Sequence, residues 1–158
     1  MKFKEPEALN GVAKFHNLFN LPVVDHPAIP SRERIGLRIS LLEEELKELQ
    51  KAIEENDLVE VADAFADLQY VLSGAILEFG LGGKFKELFD EVQRSNMSKP
   101  CKTLEEAKQT QEYYKNNRGM ESFIEKRGEE YLVYRVGDGK VLKSVNYSAP
   151  DLKSILEE

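Results

Sequence analysis

From Val12 to Val92 the apolar residues recur every three or four positions, the spacing of one face of a helix. Val12, Phe15, Leu18 and Phe19 predict a first helix over 7–19, which must end before Pro22 because proline cannot donate to a helical ladder. Pro27 and Pro30 mark a loop, and Ser31 is placed to cap a helix over 34–54. Glu55, Asn56 and Asp57 make a short connection to a helix over 58–79, which stops at Gly80, Gly82 and Gly83. Phe85, Leu88, Phe89 and Val92 give a fourth helix a core face as far as Ser95. Short turns set neighbouring helices antiparallel, so the expected fold class is mainly α, a four-helix bundle with an internal site.

The pattern changes beyond residue 100. Thr103-Leu104-Glu105-Glu106 is a capping box that opens a helix of about a dozen residues ending near Gly119, and its polar composition predicts a peripheral position. Tyr131 to Val136, then Gly137-Asp138-Gly139, then Lys140 to Val145 predicts a β-hairpin, which is marginal alone and must pack on the bundle or on a partner chain. Residues 151–158 suit a short helix. The expected organisation is a single domain over 1–158, with a helical core over about 7–99 and a peripheral helix and hairpin extension over about 103–158.

Polar residues within the periodic segments carry the chemistry. In the second helix Ile39, Leu42, Leu46, Leu49 and Ile53 form one narrow apolar stripe, with Glu45 and Glu48 at its edge and Glu44 just beyond, so the acids border the expected core. In the third, Glu60, Asp63 and Asp67 line up opposite Val61, Phe65, Leu68, Leu72, Ile76 and Phe79. A run such as Glu43-Glu44-Glu45 alone is ordinarily a solvated helix face. Carboxylates from two helices converging near a core are instead neutralised most simply by a hard divalent cation such as Mg²⁺, with Mn²⁺ as a substitute.

Composition narrows the classes. The chain has 158 residues, 41% of them hydrophobic, enough for one sizeable core. A net charge of -7 argues against a nucleic-acid binder, which grips phosphates with clustered cations, but a single nucleotide can be bridged to acids by metal. Cys101 is the only cysteine, so no intrachain disulfide can form, the residue reads as structurally incidental, and a reducing, cytoplasmic setting is expected. The N-terminal residues carry no apolar signal segment, and the uncharged stretch Leu68–Leu77 is too short to span a bilayer. His16 and His26 do not stand three residues after a Glu, which disfavours a di-iron bundle, and there is no P-loop motif.

Glu44-Glu45-x-x-Glu48 followed by an acidic helix resembles the all-α nucleoside triphosphate pyrophosphohydrolases, in particular their MazG-like and phosphoribosyl-ATP pyrophosphohydrolase-like members. The likeness runs in order from Phe15-His16 and Leu21-Pro22-Val23 through Tyr70-Val71-Leu72-Ser73-Gly74, Glu91 to Lys99, and Asp138 to Lys143, ending at Asn146-Tyr147. It implies metal-dependent cleavage of the α–β phosphate bond of a nucleoside triphosphate, giving a nucleoside monophosphate and pyrophosphate. Glu44, Glu45 and Glu48 match the first motif and Asp67 the end of the second. That second motif is usually Glu-x-x-Asp, and Ala64 stands where its Glu is expected, so Asp63 becomes the substitute ligand; Glu60-x-x-Asp63 is a second register that also fits.

Glu45 is the candidate general base, with Glu44 as the alternative, since its place at an apolar boundary should raise its pKa. The resemblance implies substrate contacts at Asn96, Lys99 and Lys143, and more weakly at Lys140, with Tyr147 as a stacking group. It also implies a homodimer or a dimer of dimers. A phosphoribosyl-ATP substrate is one alternative, and a catalytically inactive helical scaffold, which Ala64 keeps open, is another.

Overall fold

A computed structural model describes residues 2–157. They are mainly helical with a two-stranded antiparallel hairpin toward the C-terminus, as the periodicity predicted. They fall into two compact units, one up to Phe85 and one from Lys86 onward. No helix among them is long and apolar enough to cross a membrane.

The first unit holds α1 (Ala8–Leu18), α2 (Arg32–Glu54) and α3 (Leu58–Glu78), with α3 packed on both of the others. Ser31 caps α2, its Oγ accepting from the Arg34 N–H at 3.3 Å, and Asp57 caps α3 by accepting from the Val59 and Glu60 N–H groups at 3.0 and 3.2 Å. Val12, Leu49, Ala52, Ala64, Ile76 and Leu77 are buried. The loop after α1 is stitched to the end of α3 by Val24 N–H to Leu77 O and Ala28 N–H to Phe79 O, both at 3.0 Å. Gly80 sits there with φ +67°, and a Cβ on it would lie 1.8 Å from the His26 carbonyl oxygen, so only glycine fits.

Much of the stripe expected to be core is open. Leu46 is 48% exposed, Ile53 58% and Phe65 58%, because α2 and α3 meet along Leu49, Ala52 and Ala64 and leave those larger residues facing outward.

The second unit contains α4 (Phe85–Asn96) apart from its first residue, α5 (Leu104–Arg118), β1 (Ser122–Arg127), β2 (Glu130–Arg135) and α6 (Leu152–Glu157). β1 and β2 pair from Ser122↔Arg135 to Arg127↔Glu130 around Gly128-Glu129, and α5 packs on both strands. Two sequence expectations are corrected here. The hairpin partner of β2 is residues 122–127 and not 140–145. Residues 140–142 do return beside β2, through Leu142 N–H to Val133 O at 2.8 Å and a single Tyr134↔Val141 bridge. The chain then leaves because the Ser144 N–H donates to Lys99 O at 3.0 Å and its hydroxyl to Glu106.

Nor is α5 peripheral: Ala107 and Thr110 are fully buried, and Ala107 joins Cys101, Val133 and Leu142 in the core of this unit. Cys101 is therefore a packing residue, exchanging backbone hydrogen bonds with Tyr131 at 2.8 Å.

Candidate functional site

The helices that carry the acids are tied together by a polar clamp that the apolar pattern concealed. Glu78 lies in the last turn of α3 with its side chain 1% exposed. Its carboxylate accepts from Arg34 Nε at 3.0 Å, from the Arg34 terminal nitrogen, and from Arg38 at 2.5 Å. Arg38 also donates to His16 Nε2 at 3.0 Å. His16 Nδ1 lies 2.8 Å from the Pro22 carbonyl, which can only accept, so the proton sits on Nδ1 and Nε2 receives the guanidinium donor.

Three helices are thus joined through one buried carboxylate. Two arginines outweigh the penalty that burial places on the charged form, and the Glu78 pKa is lowered. Gly74 lets Arg38 in: a Cβ there would stand 2.6 Å from an Arg38 nitrogen and 3.1 Å from His16 Nε2. Sequence reasoning passed over Arg34, Arg38 and Glu78. The available signal was a charged residue at the end of the otherwise apolar run from Leu68 to Phe79, and two arginines four apart beside an apolar stripe.

One turn and more beyond the clamp, α2 carries Glu44, Glu45 and Glu48, and α3 carries Asp63 and Asp67. Glu44, Glu48, Asp63 and Asp67 are exposed, whereas Glu45 is half-buried. One oxygen of Glu45, Oε2, is buried and has no hydrogen-bond partner. Burial raises its pKa, and the charges of Asp67, Glu48, Glu44 and Asp63 raise it further. The five acids therefore share one electrostatic neighbourhood across the two helices.

Among the described residues, no three acidic, histidine or cysteine side chains converge closely enough to hold an ion as they stand. An all-oxygen donor set with one buried, unpartnered oxygen suits a hard divalent cation such as Mg²⁺. Ala64 is buried, so the position where Glu was expected offers a packed methyl group and no ligand.

The second unit collects a different set. The Lys143 ammonium lies 4.1 Å from the centroid of the Tyr147 ring, whose hydroxyl accepts from Ser95 Oγ at 2.9 Å. The Ser95 bond lowers the Tyr147 pKa, as do a bond from Lys143 and the charges of Lys143 and Lys99. Lys99, Lys143 and Tyr147 are thus grouped. Asn96 is exposed at the end of α4, its carbonyl accepting from the Lys99 N–H at 3.2 Å. The Lys140 backbone closes a turn, its N–H donating to Asp138 at 3.2 Å and its carbonyl accepting from the Arg135 N–H at 2.9 Å.

Comparison with known proteins adds two findings. A family described as phosphoribosyl-ATP pyrophosphohydrolase matches residues 12–96, a stretch that includes all five acids. An uncharacterized protein of Acanthamoeba polyphaga mimivirus is 25% identical, over 92% of this chain and 94% of its own length.

Proposed function

The chain belongs to the phosphoribosyl-ATP pyrophosphohydrolase family, within the MazG-like all-α nucleoside triphosphate pyrophosphohydrolases, and from that premise we propose that it is a Mg²⁺-dependent nucleoside triphosphate pyrophosphohydrolase. Its products are a ribo- or deoxyribonucleoside monophosphate and pyrophosphate, and its role is sanitation of the nucleotide pool. The observation that supports this best is Glu45, a half-buried carboxylate with one unpartnered oxygen amid four other acids.

Glu44, Glu45, Glu48, Asp63 and Asp67 are the residues that would hold Mg²⁺, or Mn²⁺ in its place. When bound, the cation neutralises phosphate charge and acidifies a water. Glu45 is suited to be the general base because burial and neighbouring charge make its carboxylate a better proton acceptor than an exposed one. The attacking water would give its proton to a Glu45 oxygen as its own oxygen bonds the α-phosphorus in line, and the α–β bond would break with pyrophosphate leaving with the electron pair. In the second unit, the family resemblance favours Lys99 and Lys143 as phosphate contacts, with Asn96 and more weakly Lys140 as further substrate contacts and Tyr147 as a stacking group.

The matched family's description favours phosphoribosyl-ATP as a second substrate, whose triphosphate offers the same kind of bond. The open apolar face on α2 and α3, with Leu46, Ile53 and Phe65 outward, supports a homodimer or a dimer of dimers; a monomer by light scattering would remove that part of the proposal.

The test is pyrophosphate release from a panel of ribo- and deoxyribonucleoside triphosphates and phosphoribosyl-ATP, with Mg²⁺, with Mn²⁺ and with chelator. Metal-dependent release together with a monophosphate product supports the proposal. A folded protein that releases none overturns it in favour of the inactive scaffold that Ala64 allows.

A further inference from the structure

Arg94, Lys99 and Lys143 each bring positive charge to the neighbourhood of the Tyr147 phenol. They are held differently. Arg94 is already neutralised, with two nitrogens 2.7 Å from the Glu91 carboxylate and a further bond of 3.1 Å to Ala149 O. Among the described residues, neither Lys99 nor Lys143 has a carboxylate within ion-pair distance. Lys143 rests on the Tyr147 ring and also bonds to its hydroxyl, contacts that stabilise an ammonium without neutralising it and leave its remaining N–H donors for an anion.

The ring itself is fixed at both ends. Its hydroxyl is anchored to Ser95, which is 3% exposed, and the Tyr147 N–H donates to Ser144 O at 2.9 Å. The Ser144 N–H bond to Lys99 O, at 3.0 Å, ties the backbone of one lysine to the residue after the other. Ser148 N–H to Ser98 Oγ, at 3.0 Å, holds the far side of the same segment. A tyrosine has only two side-chain torsions, so a ring anchored in this way is a rigid platform for a flexible lysine.

We propose that Tyr147 is a positioning residue for Lys143: seated on Ser95, the ring holds the Lys143 ammonium beside Lys99, and the lysine pair takes the pyrophosphate portion of a nucleotide. The choice of ligand rests on the pyrophosphohydrolase reading above. The ring acts through the lysine, and the face that Lys143 covers is not free to stack on a base.

The experiment is calorimetric titration of the full chain with inorganic pyrophosphate, without divalent cation so that only cationic side chains are read. The variants are Tyr147→Phe, Tyr147→Leu, Lys143→Ala and the Tyr147→Leu/Lys143→Ala pair. Tyr147→Leu is expected to weaken binding about two- to fivefold, the worth of an exposed cation–ring contact. Tyr147→Phe, which keeps the ring but drops the hydroxyl's bonds to Ser95 and Lys143, should fall between wild type and Tyr147→Leu. The double variant should bind no more weakly than Lys143→Ala alone, because the ring has no effect once the lysine is gone. The ε-methylene protons of Lys143 should show an upfield ring-current shift in wild type that Tyr147→Leu abolishes, a signature that mere loss of stability would not produce selectively.

Additive losses in the double variant overturn the proposal, as does Tyr147→Leu binding like wild type. Wild type that fails to bind pyrophosphate while keeping the ring-current shift overturns the lysine pair as a phosphate site. That result is distinguishable from failure of the enzymatic reading, which the nucleotide panel decides separately.

Discussion

Replacing Glu78 by Gln should be among the most damaging single changes available in the first unit. The Glu78 side chain is 1% exposed and serves Arg38, which is 7% exposed, and Arg34, which is 28% exposed. Glutamine keeps one acceptor oxygen but turns an NH₂ toward guanidinium donors and removes the one carboxylate that, among the described residues, bonds to them. Arg34 can recover some water; Arg38 cannot, and is left as a buried cation with a neutral His16 for company. Breaking a buried pair from one side costs about 3–5 kcal/mol, and the partial exposure of Arg34 places the expected loss near the lower end, about 3 kcal/mol. With an m value of about 1–3 kcal/mol/M in urea, the midpoint should fall by roughly 1–3 M.

Urea titration followed by far-UV circular dichroism measures this, and amide hydrogen exchange in α2 and α3 locates it. The pH dependence supplies a sign. The folded pKa of Glu78 lies below its ordinary 4.5, so its contribution is complete above that value and fades as pH falls below it. The gap between wild type and Glu78→Gln should therefore narrow in acid. Adding Arg38→Met should recover much of the loss by removing the stranded charge. A midpoint within about 0.3 M of wild type at neutral pH, on the scale of those m values, would refute the clamp as a stabilising device.

Glu45→Gln should abolish pyrophosphate release while leaving nucleotide binding measurable by calorimetry; near-normal turnover would remove Glu45 as the base. Gly74→Ala should lower the melting temperature, with an overpacking loss of about 1–3 kcal/mol, because its Cβ would stand 2.6 Å from an Arg38 nitrogen already fixed by Glu78 and His16. Glu91 is held down to about 2 by the Arg94 bonds and the Asp151 N–H, so it stabilises the fold above its ordinary 4.5 and loses that effect between there and about 2. Glu91→Gln should accordingly flatten the pH dependence of the second unit's stability across that window, read by hydrogen exchange at α4, and an unchanged profile would discount the pairing.

Periodicity was enough to locate α1, α2, α3 and α4, since a helix needs only local spacing and a cap, and Ser31 and Thr103 cap as their side chains predict. The acidic positions were equally legible, because a carboxylate bordering an apolar stripe is conspicuous in one dimension. Burial was not. A stripe such as Leu46, Ile53 and Phe65 reports what a helix offers, and only packing decides which part is taken up; here the small residues Ala52 and Ala64 take the contact and the larger ones stay open.

The C-terminal strands escaped for a related reason. Residues 140–145 alternate as a strand should, yet Ser144 finds Lys99 and Glu106 at long sequence separation and draws the chain away from β2. The clamp of Arg34, Arg38, His16 and Glu78 depends on four residues spread from position 16 to position 78. Each alone reads as a surface charge or a packed histidine. What makes them one structure is that burial penalises an unpaired charge or ring nitrogen, a condition that arises only once the helices have come together.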